Sequence, residues 1–132
     1  MSYLEAIRNG DIADMTYYLA RGADPNTTFA TNVKAAYGIN ASAVMEAAAT
    51  DHIDCVRLLL DHGAKLDAID SKGWTALMIA TANGDSDLVH LLLERGASLQ
   101  SKNKTGKTAL MLAERYNRSE LITLLKQAGA RE

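Results

Sequence analysis

The sequence predicts an all-α solenoid, a row of short helix pairs stacked side by side, and three observations predict it. The stretch from Gly73 to Leu99, GWTALMIATANGDSDLVHLLLERGASL, reads as two short helices joined by a glycine turn and closed by a second glycine. Three weaker copies of the same plan lie elsewhere in the chain. The closing Gly-Ala pairs begin at Gly22, Gly63, Gly96 and Gly129, so the last two intervals are both 33 residues and the first is 41. Periods of this size mark repeat architectures, in which each unit buries its apolar face only against its neighbours.

The chain opens in a helix, where Ser2 and Glu5 have the spacing of a capping box. Asn9 and Gly10 break that helix, and Asp11 is placed to cap the next, in which Met15, Tyr18 and Leu19 recur at the spacing of a buried face. Gly22 suits the left-handed residue that ends a helix, and Pro25, the only proline, stands just beyond it as a stop. From Thr27 to Tyr37 the periodicity lapses and an enlarged loop is expected. Ser42 to Ala49 then forms an Ala-rich helix, Asp51 and His52 a turn, and Ile53 to Asp61 a second helix around Val56, Leu59 and Leu60. The plan returns from Thr75 to Gly96 and from Thr108 to Gly129. One domain over residues 1–132 is expected. Its repeats span about 1–28, 37–69, 70–102 and 103–132, and 29–36 form an inserted loop. The polar terminal faces, Glu5 and Arg8 at one end and Glu114, Glu120 and Lys126 at the other, suit caps.

Composition excludes several function classes. The net charge of -2 gives no electrostatic footprint for nucleic acid. No run approaches the roughly 20 apolar residues of a membrane span, and the N-terminus lacks the apolar core of a signal peptide. The single cysteine, Cys55, cannot form an internal disulfide, which fits a reducing, cytoplasmic setting.

The repeat units resemble ankyrin repeats. The matching pieces are G-W-T-A-L-M-I-A-T-A-N-G-D with L-V-H-L-L-L-E-R-G-A-S-L, G-K-T-A-L-M-L-A-E with L-I-T-L-L-K-Q-A-G-A, and S-A-V-M-E-A-A with C-V-R-L-L-L-D-H-G-A-K-L-D. The family's Thr-Pro-Leu-His becomes Ser42-Ala43-Val44-Met45, Thr75-Ala76-Leu77-Met78 and Thr108-Ala109-Leu110-Met111, so proline and histidine are both missing. Methionine cannot make the histidine's inter-repeat hydrogen bonds, but it can fill the same seam by packing. The family's glycine between helices is kept at Gly10 and Gly84 and replaced by Asp51 and Asn117, residues that tolerate left-handed backbone.

The resemblance implies hairpin-like fingers and a concave face that binds another protein. Carried over by position, that face comprises Phe29, Val33 and Tyr37 of the insertion, then Ile39 and Ala41, Ile69, Ser71, Lys72 and Trp74, and Lys102, Lys104, Thr105 and Lys107, with Arg115 and Tyr116 from the last inner helix and Arg8 and Asn83 from earlier ones. Trp74 occupies a variable position that the fold does not require, which makes it either an exposed anchor or a residue packed on the neighbouring finger. The insertion either extends the binding face or plugs the first repeat. Four lysines against Asp70 make the last two fingers basic, which suits an acidic partner surface. A small stand-alone array of this kind would act as an inhibitor or adaptor, monomeric when unbound.

No cofactor is implied. An enzyme or metal protein would draw on His52, Cys55 and His62, but Cys55 aligns with Leu88 and Leu121 and reads as a small buried hydrophobe. No phosphate loop, CxxC or HExxH is present. A self-associating structural protein is the other alternative.

Overall fold

Short polar side chains set where the helices begin. Asp11 Oδ1 accepts from the Asp14 N–H at 3.0 Å, and Ser42, Thr75 and Thr108 accept through Oγ from the N–H of Met45, Met78 and Met111, each at 3.3 Å. Each such cap satisfies a backbone donor the helix leaves open, a gain of about 1 kcal/mol. The computed structural model describes residues 2–30 and 40–130. Within them lie four helix pairs: α1 (Tyr3–Asn9) with α2 (Ile12–Ala20), α3 (Ala43–Ala49) with α4 (Ile53–Asp61), α5 (Ala76–Asn83) with α6 (Ser86–Glu94), and α7 (Ala109–Arg115) with α8 (Ser119–Gln127).

The pairs stack into two layers. Helices α1, α3, α5 and α7 pack in succession, as do α2, α4, α6 and α8. Every residue of α3 is buried, as are Ala76 through Thr81 of α5. Helix α4 buries only Cys55, Val56 and Leu59, and α6 only Leu88, Val89, Leu91 and Leu92. An apolar surface on all sides makes a helix an interior one, and a single apolar stripe makes it an outer one.

Met45 and Met78 are buried and Met111, in the last pair, is half-buried. Hydrogen bonds between repeats come from other side chains. Asn26 Oδ1 accepts from the Lys65 N–H at 2.7 Å, and Asp67 Oδ1 accepts from the Ser98 N–H at 2.9 Å, one repeat further on. His52 Nε2 donates to the Arg8 carbonyl at 2.8 Å, and Arg118 Nη2 to the Ala82 carbonyl at 2.8 Å. These bonds take over the task left open by the missing histidine.

The enlarged loop differs from expectation at its ends. Strand β1 (Thr28–Phe29) pairs antiparallel with β2 (Ala41–Ser42), in the register Thr28↔Ser42 and Phe29↔Ala41. The Phe29–Ala41 pairing stands where the Asp70 N–H donates to the Trp74 carbonyl at 3.1 Å and the Asn103 N–H to the Lys107 carbonyl at 3.0 Å. The first finger therefore keeps its base. In sequence, eleven residues (30–40) separate the paired positions 29 and 41 where three (71–73) separate 70 and 74, which accounts for the longer first interval.

Candidate protein-binding groove

Two tight fingers project beside α7. In the first, Asp70 Oδ1 accepts from the Lys72 N–H at 2.8 Å and the Trp74 N–H at 2.9 Å, while the Gly73 N–H closes on the Asp70 carbonyl at 3.0 Å. In the second, Asn103 Oδ1 accepts from the Thr105 and Lys107 N–H groups, each at 3.0 Å, and from Thr105 Oγ1 at 2.8 Å. One side-chain oxygen thus folds each finger from within, as Asx turns do. The Lys104 N–H donates to the Lys72 carbonyl at 3.0 Å and joins the two tips. The fingers lie so close that a Cβ on Gly73, at φ 77°, would sit 3.0 Å from the Lys104 nitrogen.

Between these fingers and α7 lies a groove of about 420 Å³. Trp74 and Leu112 contribute its apolar surface, and Tyr116, 39 % exposed, stands at its side. Lys72, Lys104, Lys107 and Arg115 bring four cations to it, and none of its lining residues is acidic. Trp74 and Lys107 share the groove for a structural reason: each follows its finger's Asx residue by four positions, in successive repeats.

The groove gathers seven of the residues expected on the concave face, namely Lys72, Trp74, Lys104, Thr105, Lys107, Arg115 and Tyr116. It also includes Asn103 and Leu112, which sequence reasoning missed. The alignment of Asn103 with Asp70 was a signal for the first; Leu112 carried none, because an apolar residue on an inner helix reads as core. Ile69 is 60 % exposed and Lys102 exposed, but neither lines the groove, and Ser71 is half-buried outside it. Val33, Tyr37 and Ile39 lie outside the described residues.

The structure decides one open alternative and gives several expected residues other contacts. Trp74 is 7 % exposed, so of the two readings the packed one holds. Ala41 is buried in its strand pairing. Phe29 packs with its ring centroid 6.2 Å from that of Tyr3, which itself lies 5.8 Å from Tyr18, so this end of the insertion covers the first repeat. Arg8 is engaged with Glu46 at 3.1 and 3.4 Å. Asp70, the one acidic residue counted in the last two fingers, turns Oδ1 into its own finger.

The groups that an enzyme or metal site would use are separately occupied. Cys55 lies in the core, and burial, followed by the charges of Asp54 and Asp11, pushes its thiol up to about 11. His52 is bound to the Arg8 carbonyl, and His62 Nδ1 to the Leu58 carbonyl of its own helix at 2.9 Å. Among the described residues no group of three or more His, Cys, Asp or Glu side chains could hold a metal ion. None of their helices is long and apolar enough to cross a membrane.

Stacked helix pairs with fingers braced by Asx turns define a helical-repeat solenoid. The chain belongs to the ankyrin repeat family, whose model, in three copies, matches residues 4–103. A search of curated proteins found no match. Ankyrin repeats are generally protein–protein interaction modules and typically non-catalytic.

Proposed function

We propose that this chain is a non-catalytic, cytoplasmic module that binds an acidic partner protein through the groove between its last two fingers and α7, acting as an inhibitor or adaptor and remaining monomeric when unbound. One observation carries the reading. Residues from two fingers and an inner helix converge on one groove that joins the exposed Tyr116 ring, over the packed Trp74 and Leu112, to four cations. Interfaces bind through such a combination of apolar core and charged rim. The fingers are held by internal hydrogen bonds, so docking orders little that is not already ordered.

The test compares capture of partners from the source cell by wild type, by Lys104→Glu with Arg115→Glu, and by Arg57→Glu on the opposite, outer layer. Specific partners should be lost only with the groove variant. Equal capture by all three would place binding elsewhere.

A further inference from the structure

We infer that the groove takes an extended acidic segment that lays one large apolar side chain against Tyr116, over the packed Trp74 and Leu112, and sets carboxylates against Lys104, Lys107 and Arg115. The inference rests on the concave-face reading above and narrows its partner to a chemical class. The first argument is size. At about 420 Å³ the cavity lies near the lower end of pockets that enclose a single small ligand, so it accommodates a side chain and not a folded surface.

The second argument is charge. The chain carries a net charge of -2, yet this groove has no acidic lining residue, and among the described residues no ion pair engages Lys104, Lys107 or Arg115. Two surface depressions of the outer layer are lined by Asp54, Asp61, Asp87 and Glu94 against Arg57 as their one lysine or arginine, so their balance is acidic. A negative segment is therefore repelled from the outer layer and attracted to the groove, which sets orientation and rate of encounter. The third argument is the apolar wall. Tyr116 is 39 % exposed and lines the groove, above Trp74 and Leu112, which are 7 % and 2 % exposed and form its packed base. The cations sit on two fingers and on α7, not along a continuous track such as a nucleic-acid backbone follows.

Trp74 is the only tryptophan, so its emission reports the groove directly. The full chain would be titrated with a short peptide of glutamates around one central leucine. Parallel titrations would use the same peptide with glutamine for every glutamate, the same peptide with serine for leucine, and a short single-stranded RNA. The acidic leucine peptide should give a saturable change in Trp74 emission that weakens as salt is raised. Glutamine or serine replacement should each weaken binding about tenfold, and Lys104→Glu with Lys107→Glu about tenfold or more. Arg57→Glu should leave binding unchanged.

Equal affinity for the glutamine peptide, preference for RNA, or no binding at millimolar peptide would overturn the inference. So would self-association of the chain in sedimentation that Lys104→Glu with Lys107→Glu abolishes, since the occupant would then be the acidic outer layer of a second copy. If the peptide fails while the groove variant still loses its cellular partners, the acidic segment falls and the concave-face reading stands. If the groove variant keeps those partners, the face itself is wrong.

Discussion

The imidazole of His52 occupies the space a side chain at position 10 would need: a Cβ built on Gly10 would fall 2.6 Å from His52 Nδ1. The same relation recurs one pair of repeats later, where a Cβ on Gly84 would fall 3.0 Å from the Arg118 guanidinium carbon. Gly10, Asp51, Gly84 and Asn117 all have positive φ, so all four occupy equivalent left-handed turns. The choice between glycine and a side chain at these turns is made by the next repeat. His52 and Arg118 reach back across the preceding turn, whereas Asp85, the residue that follows Gly84, turns to cap its own helix at the Leu88 N–H.

Gly10→Ala should therefore be costly for two reasons. The left-handed backbone costs an alanine about 1–2 kcal/mol, and the Cβ contact with His52 adds to it. Asp51→Gly should change stability by less than about 1 kcal/mol. Urea midpoints check both, and adding His52→Ala to Gly10→Ala should recover the steric part. If the double variant is no better than the sum of the singles, the imidazole is not the cause.

The ion pair of Arg8 and Glu46 joins the first two repeats, with the Glu46 side chain at 0 % and that of Arg8 at 33 % exposure. Arg8→Ala leaves a buried carboxylate without its guanidinium. Fully buried pairs lose about 3–5 kcal/mol in this way, and the exposure of Arg8 reduces the expected loss to about 2 kcal/mol. Glu46→Gln should cost less than Arg8→Ala when both are unfolded in urea, and the reverse order would show that the carboxylate does not depend on Arg8.

Trp74 should emit well to the blue of indole in water, because it is 7 % exposed. Asp70→Ala strands the Lys72 and Trp74 N–H groups, at about 1–3 kcal/mol, and should shift the emission to the red as the finger loosens. Asp70→Asn should keep the finger, since Asn103 performs the same task in the next one. A red shift in Asp70→Asn equal to that of Asp70→Ala would show that the carboxylate's charge, and not its oxygen's geometry, holds the turn.

Cys55 ties stability to alkaline pH. Its thiol is raised from 9.0 to about 11 by burial and by the charges of Asp54 and Asp11, so between these values the folded chain keeps a proton that the unfolded chain has lost. The contribution is full below pH 9.0 and declines as pH rises to about 11, a loss of about 3 kcal/mol at 1.36 kcal/mol per unit. Relative to Cys55→Ala, wild type should lose stability over that window and keep a constant offset below it. Alkylation of the native thiol near neutral pH should be slow and should accelerate in denaturant.

The helices were legible because their signals are local. Ser42 to Ala49 and Ile53 to Asp61 fall on α3 with its cap and on α4, since periodicity and caps act within a few residues. Most of the groove was legible for a similar reason: Lys72, Lys104 and Lys107 sit at repeat positions that point to one side. The first finger was only half legible. Phe29 stands where Asp70 and Asn103 fold the later fingers, and without an Asx side chain there a short tip has nothing to brace it.

By itself the sequence determined the 33-residue period, the caps at Ser42, Thr75 and Thr108, and the left-handed turns, all consequences of hydrogen bonds and sterics spanning a few residues. Only the tertiary structure decided that Trp74 lies in the groove instead of protruding, that Asp70 faces inward, and that Gly10 must yield to His52. Each of these depends on a neighbouring repeat or a finger's closure. Residues a full repeat apart meet only after stacking, and what each position can hold is then set by the side chain that arrives from the next unit.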